Sequence, residues 1–407
     1  MGWPKIEYTE EAMREGMQIE SAEISVEDKV RLLNALSETG LKRIVVGSFV
    51  SPKWTPQMAR IDEIVQKFTP KPGVTYTALA LNQRGVERAM QYSPPLTVER
   101  PRPSLSCHMC DVFARRNTNR SQAQEIANWP NIVRAAKERG VKEAGIGVNA
   151  AWGSNFVGPF TEEQRMTVLR RQYQMWQEAG IKVTAISLGD PMSWNMPHEV
   201  EHQLETIRKE WPEIKHVNLH LHNARGMAPL SLYAAMRVLD ETYTLSVDGT
   251  IGGFGGCPYC GNGRVTGMMP TEDVVHMWEE MGIDTGIDLD KIIDCVWMLE
   301  EIVGRRLYGH VSKAGPRPKG RKLYPMDLPF IETEEEARHF KLGKAAYSEN
   351  AISPWSEPIR SPQRDAVDEV LERGGDQAEI TRRLTEVIQQ NLDTVLATSP
   401  AASAADD

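Results

Sequence analysis

Short apolar runs recur along the first 250 residues at intervals of about 27 to 40 residues, and a helical pattern follows each one. The runs occupy residues 5–8, 43–50, 75–81, 104–109, 144–149, 184–188, 217–220 and 244–247, and Val, Ile, Leu and Thr dominate them. That composition suits parallel strands buried on both faces. Ser25-Val-Glu-Asp28 resembles a capping box, Val26, Val30 and Leu33 fall on one helical face behind it, and Gly40 stops the helix. Residues 161–178, 198–209 and 229–239 read as further helices with charged outer faces, and Thr271 is an N-cap. Eight strand–helix units within about 285 residues predict an α/β chain folded as a (β/α)8 TIM barrel. The competing arrangement is a doubly wound open sheet. It would need fewer strands and a Gly-x-Gly-x-x-Gly turn, and no such turn stands between a run and a helix.

Beyond residue 290 the period is lost. Residues 313–322 form a basic segment rich in Pro and Gly, residues 324–357 alternate aromatics and prolines, and helices are expected over 366–371 and 377–396. The division expected is a barrel over 1–290 and a helical and irregular C-terminal extension over 291–407 packing on it. Exposed aromatics in the extension point to a homodimer or higher homo-oligomer.

A formal charge of −9 argues against nucleic acid or an anionic membrane as partner. No apolar run approaches the roughly 18 to 20 residues of a membrane span, and the first residues lack the apolar stretch of an export signal. Five cysteines are too few for a disulfide scaffold, so a reducing cytoplasm is expected.

Barrel chemistry collects where strands end. His220 and His222, two residues apart on the seventh run, share one face, and two imidazoles so placed are half of a metal site. A pair of structural histidines is the alternative. Arg14-Glu15 follows the first run, where a ligand and an electrophile could enter, or where a surface ion pair could lie. The glycine-rich stretch 252–263 follows the eighth run and is either a mobile active-site loop or a plain connector. Two Cys-x-x-Cys pairs, Cys107/Cys110 and Cys257/Cys260, admit a four-thiolate zinc site or a redox motif, so a zinc or redox sensor is the reading from another class.

Taken together, these motifs resemble the DRE-TIM metallolyase superfamily, in particular the 3-hydroxy-3-methylglutaryl-CoA lyases. The matching stretches are Arg14-Glu-Gly-Met-Gln18, Ser48-Phe-Val-Ser-Pro-Lys-Trp-Thr-Pro-Gln-Met58, Ser187-Leu-Gly-Asp190, His220-Leu-His-Asn223, Gly255-Gly-Cys-Pro-Tyr259 and Thr271-Glu-Asp-Val, in order over residues 5–311. The resemblance implies cleavage of a 3-hydroxyacyl-CoA to a short acyl-CoA and a carbonyl product. It implies Mg²⁺ or Mn²⁺, with Zn²⁺ an option, held by Glu15, His220, His222 and Asn262; an ungapped count would put Met268 in the place of Asn262. Arg14 would stabilise the enolate and Cys257 would move a proton. Gln18, Asn82 and Asp190 would line the acyl pocket, and Arg306 would contact CoA. Basic residues of 313–322 are candidates for the CoA phosphates, or for a solvated loop.

The chain departs from the pattern at several places. Glu15 stands for an aspartate, Val45 for the strand-two glutamate, Asn223 for an aspartate and Gly304 for an asparagine. An acyl-CoA-consuming synthase of the isopropylmalate or citramalate kind is the enzymatic alternative; the Gly-Gly-Cys-Pro-Tyr loop and the Ser-Pro-Lys-Trp segment favour the lyase.

Overall fold

The computed structural model of the chain describes residues 2–53, 55–98, 102–261, 267–328, 339–343, 347 and 357–398. Each of the eight runs is a strand: β1 (Lys5–Glu10), β2 (Arg43–Ser48), β3 (Thr75–Leu79), β4 (Ser104–His108) and β5 (Glu143–Asn149) come first. A small antiparallel hairpin of β6 (Gly153–Ser154) and β7 (Gly158–Pro159) follows, and then β8 (Lys182–Asp190), β9 (His216–Leu221) and β10 (Thr244–Gly249). The eight long strands lie parallel in the order β3-β2-β1-β10-β9-β8-β5-β4. Every neighbour is the next long strand in the chain except at one place, where β1 pairs with β10 from Lys5–Thr244 to Glu10–Gly249. First strand beside last is the cyclic order of a TIM barrel, and it rejects the doubly wound sheet. At the seam between β3 and β4, Leu96 bridges Tyr76 in parallel. There the Thr97 N–H donates to the Tyr76 carbonyl over 2.7 Å.

Helices α1 (Val26–Ser37), α2 (Ile61–Lys67) and α3 (Gln83–Met90) follow the first three strands in turn. Helices α4 (Asp111–Thr118), α5 (Gln122–Ala127) and α6 (Trp129–Glu138) all follow β4. After them come α7 (Glu162–Glu178), α8 (Pro197–Glu210), α9 (Ala228–Val238), α10 (Thr271–Glu280) and α11 (Leu289–Val303). Ser25 does cap α1, accepting from the Asp28 N–H at 3.0 Å, but the Asp28 carboxylate accepts from the Ser25 hydroxyl at 2.8 Å instead of reaching the backbone. The barrel's apolar residues form two clusters, one around β5, β8, β9 and β10 and one around β1, β2 and β3. Ile292, Val296 and Leu299 of α11 are buried in the second cluster, so α11, which lies past residue 290, shares the barrel's core.

By its internal contacts the chain divides into two compact units, Met1–Ser312 and Lys313–Asp407. The remaining helices are α12 (Val311–Ala314), α13 (His339–Leu342), α14 (Pro362–Glu372) and α15 (Gln377–Thr398). In the second unit Val367 and Val370 of α14 pack with Ile380 of α15 and with Leu323. Part of the aromatic, proline-rich stretch, residues 329–338, 344–346 and 348–356, lies outside the described residues. No described helix is long and apolar enough to cross a membrane.

Glu10 ends β1 pointing into the helix layer, where it is wholly buried. One carboxylate oxygen accepts from the Ala12 N–H at 2.9 Å and the Ile251 N–H at 3.1 Å, and the other from the Thr271 hydroxyl at 2.6 Å. The turn after β1, the loop after β10 and the start of α10 are thus tied to one side chain. Burial outweighs these hydrogen bonds and pushes its pKa up to about 8. A carboxyl raised on folding binds its proton more tightly in the native state, so its contribution is complete below the unfolded value of about 4.5 and is lost as pH rises toward 8. Glu10→Gln mimics the protonated acid. Its melting temperature should fall less between pH 5 and 8.5 than that of the wild type; an unchanged pH slope in a thermal-denaturation series would refute this role.

Candidate metal and catalytic site

Along a strand, side chains alternate between the two faces of the sheet. On β9 this sends Leu219 and Leu221 into the core and Asn218 and His220 into the barrel mouth; His222, one residue past the strand, lines the same cavity. On β10 it aims Asp248 into that cavity. The parallel register pairs Val247 with Leu219 and so carries Asp248 alongside His220.

The contacts follow from that register. His220 Nδ1 lies 3.0 Å from Asp248 Oδ2, which places a proton on Nδ1 and turns Nε2 toward the cavity; burial lowers the ring's pKa, but the Asp248 hydrogen bond and charge outweigh it and raise it. That Nε2 faces His222 Nε2 at 3.2 Å. His222 is 1% exposed. Burial first, and then the charges of His220 and Arg14, push its pKa well below the ordinary value, so its ring is neutral at pH 7. Glu15 Oε1 lies 3.7 Å from His222 Nε2. Glu15, His220 and His222 each offer one ligand atom within 4.8 Å of the others, the one such grouping of His, Cys, Asp and Glu among the described residues. Two imidazole nitrogens and a carboxylate around one point make a donor set for a divalent cation, given metal–nitrogen distances of about 2.0–2.1 Å. Asn262 lies outside the described residues. Met268 is buried beside the site, its backbone bridging His222.

Glu15 owes its position to the turn that follows β1. Ala12–Gly16 winds as one π-helical turn and Met17–Ile19 as a 3₁₀ turn, an irregularity common at functional sites. Two glycines let the loop after β10 lie against it. A Cβ on Gly16 would stand 2.3 Å from the Phe254 ring, and one on Gly255, whose φ is +99°, would stand 2.7 Å from the Gly16 Cα. The Gln18 amide donates to Glu15 Oε1 at 3.1 Å and to the Gly256 carbonyl at 3.4 Å, joining ligand and loop. Arg14 makes a close ion pair with Glu15, and its Nη1 lies 3.6 Å from Glu11 Oε2.

Cys257 lines the cavity, half-buried at the head of its loop. The hydrogen bond from Cys260 lowers its pKa against the opposing effect of burial, whereas burial drives the Cys260 thiol up. The two Cys-x-x-Cys pairs do not form a four-thiolate site. Cys110, Cys257 and Cys260 share one apolar cluster, while Cys107 packs in another. Cys110 Sγ accepts from the Ser154 hydroxyl and the Phe113 N–H.

The cavity encloses about 490 Å³ at the carboxyl ends of the strands. Of the residues expected at the site, Arg14, Glu15, Gln18, His220, His222 and Cys257 line it. Asn82, Asp190 and Arg306 do not. Asn82 is exposed at the start of α3, its side chain accepting from the Gly85 N–H at 2.9 Å. Asp190 is fully buried with both oxygens engaged, by the Met192 N–H and by the Asn195 backbone and side-chain nitrogens, and so folds the loop after β8. Arg306 is exposed beyond α11. Asn223 likewise serves the backbone, accepting from the Ala228 N–H at 3.0 Å, and Gly304 ends α11 at a φ of +68°. Glu11, Asn117, Asn149, Asn218 and Asp248 also line the cavity and were not singled out in sequence. For Asp248 the signal was present: an acid directly after the eighth run.

The HMGL-like family profile matches residues 5–298. The mitochondrial hydroxymethylglutaryl-CoA lyase of Gallus gallus is 29% identical over 77% of this chain and 98% of its own length. The 3-hydroxy-3-isohexenylglutaryl-CoA/hydroxy-methylglutaryl-CoA lyase of Pseudomonas aeruginosa is 30% identical over 76% of this chain and 97% of its own. Among solved structures, an HMG-CoA lyase from Acinetobacter baumannii in complex with coenzyme A and 3-methylmalate superposes with a TM-score of 0.61 at 28% identity, covering 80% of this chain and 97% of that one.

If Asp248 sets the His220 tautomer, Asp248→Asn should weaken Mn²⁺ binding about 10- to 100-fold by calorimetric titration. Unchanged affinity would contradict that arrangement.

Proposed function

Because this chain belongs to the HMGL-like family, we propose that it is a divalent-metal-dependent carbon–carbon lyase that cleaves a 3-hydroxyacyl-CoA of the 3-hydroxy-3-methylglutaryl-CoA type. The products are a shorter acyl-CoA and a carbonyl compound. One observation carries the reading: a Glu15–His220–His222 donor set shares its cavity with a guanidinium, Arg14, and a thiol, Cys257. A bound divalent cation would supply Lewis acidity that lowers the pKa of the substrate's 3-hydroxyl. Two nitrogens and a carboxylate suit Mn²⁺ or Mg²⁺, and Zn²⁺ also.

The chain's own side chains supply the rest. Loss of the hydroxyl proton lets the C2–C3 electron pair move toward the thioester, so C3 becomes a carbonyl and C2 part of an enolate. Negative charge then grows on the thioester oxygen, and Arg14, held in place by its ion pair with Glu15, provides a fixed positive charge for it. The Cys257 thiol donates its proton to C2 and completes the acyl-CoA. Gln18 holds Glu15 and the cysteine loop in register. Val45, Leu79 and Phe113 give the cavity an apolar portion that would receive a hydrocarbon substituent at C3. The Pseudomonas aeruginosa relative, whose name covers both methyl and isohexenyl substrates, fits a family in which that substituent varies.

The test is a mass-spectrometric screen of metal-loaded protein against branched and linear 3-hydroxyacyl-CoAs, with acetyl-CoA or propionyl-CoA plus 2-oxo acids on the same plate. Metal-dependent cleavage is expected. It should be abolished by chelation and fall at least about 100-fold in His220→Ala, a change of about 2.7 kcal/mol or more in the barrier. Condensation without cleavage would make the protein a synthase and overturn the reading.

A further inference from the structure

The titratable acids that line the cavity are Glu11, Glu15, Asp248, Cys257 and Tyr259. Glu15 belongs to the metal-ligand set, Asp248 holds the His220 ring, and Cys257 serves the carbon end of the reaction. Tyr259 stands on the cysteine loop, two residues from Cys257. Glu11 has no such occupation. Among the described residues its buried Oε2 has no hydrogen-bond partner, and Arg14 Nη1 is 3.6 Å away. We infer that Glu11 is the general base of the cleavage, taking the proton from the substrate's 3-hydroxyl; this rests on the lyase reading above.

Placement and elimination carry the inference. Glu10 and Glu11 stand at the end of β1, where alternation turns adjacent side chains to opposite faces. Glu10 enters the helix layer, and Glu11 enters the cavity that holds His220, His222 and Arg14. Strand β2, which packs against the turn after β1, contributes Val45 to the cavity, and β3 contributes Thr77, Ala78 and Leu79. None of these can accept a proton at neutral pH. The strand-two position where the resemblance leads one to expect a carboxylate is therefore apolar, and a carboxylate stands on the neighbouring wall instead. A buried carboxylate oxygen without a partner is costly to keep, and a substrate hydroxyl is the partner that would satisfy it.

The charged groups around Glu11 suit the task. Burial pushes its pKa up to about 7, with Arg14 on its own turn and His220 on β9 opposing and Asp248 on β10 reinforcing. A base poised near the working pH both exists as the anion and holds the proton once taken. The step balances. The Glu11 carboxylate becomes the acid as the 3-hydroxyl O–H breaks, the C2–C3 pair becomes the enolate, and the Cys257 S–H proton goes to C2. Solvent then carries a proton from Glu11 back to the Cys257 thiolate.

The experiment uses the full-length, Mn²⁺-loaded protein, with Glu11→Gln and Glu11→Asp beside the wild type and two readouts. One is cleavage of the 3-hydroxyacyl-CoA found active in the screen. The other is deuterium exchange from solvent into the α-carbon of the product acyl-CoA, which needs Arg14 and Cys257 but no base at the hydroxyl. Glu11→Gln should lower kcat for cleavage about 100- to 10,000-fold, with KM and exchange within about three-fold of the wild type. Glu11→Asp should recover part of the loss. Cleavage by Glu11→Gln within five-fold of the wild type would overturn the assignment, as would loss of exchange in parallel with cleavage, since either would leave Glu11 a structural role at most. A wild type that cleaves no 3-hydroxyacyl-CoA would overturn the lyase reading itself, and this inference with it, in an assay that uses no Glu11 variant.

Discussion

Two imidazole nitrogens, His220 Nε2 and His222 Nε2, face one another across 3.2 Å with Glu15 beside them. In a buried site such a contact is held either by a proton on one of the two nitrogens or by a cation between them. Everything around the pair serves that contact. Parallel pairing of β10 with β9 carries Asp248 alongside His220 and fixes its tautomer. Pairing of β10 with β1 brings the Arg14–Glu15 turn to the same end of the barrel, and the close approach of Gly255 to Gly16 folds the cysteine loop over it. The centre is thus assembled from elements more than 200 residues apart in sequence, and only the closing of the barrel between its first and last strands makes them neighbours.

The same closure sorts the buried acids. Glu10 and Glu11 are adjacent in sequence and chemically alike, yet strand alternation sends one into the helix layer and the other into the cavity. The first is satisfied by three donors and ties the rim of the barrel together. The second keeps an oxygen without a hydrogen bond among the described residues. Elsewhere in the barrel the buried carboxylate of Asp190 is fully engaged.

Much of this was legible in the sequence. The eight runs became the eight long strands because a two-sided apolar run has few other uses in a chain of this length, and Ser25 caps α1 as expected; Thr271 instead is the first residue of α10, and its hydroxyl goes to Glu10. His220 and His222 were legible for the same reason: a spacing of two on a strand is a spacing in space. Asp190, Asn82 and Arg306 were assigned from motif position, and position does not reveal whether a side chain's hydrogen bonds are already committed to the backbone; Asp190's are. Glu11 was passed over because its partner in the argument, Val45, lies more than thirty residues away, and only packing of the turn against β2 puts the two on one cavity. The division near residue 312 was also hidden. Helix α11 lies beyond the strand–helix period, but its Ile292, Val296 and Leu299 share the barrel's core.

The central claim is that Glu15, His220 and His222 hold one divalent cation. Pulsed electron paramagnetic resonance of the Mn²⁺-loaded protein reads it directly. Electron spin-echo modulation from two directly bound imidazole nitrogens is expected, falling to one in His222→Ala. A Mn²⁺ spectrum without nitrogen modulation, or one unchanged by that substitution, would contradict it.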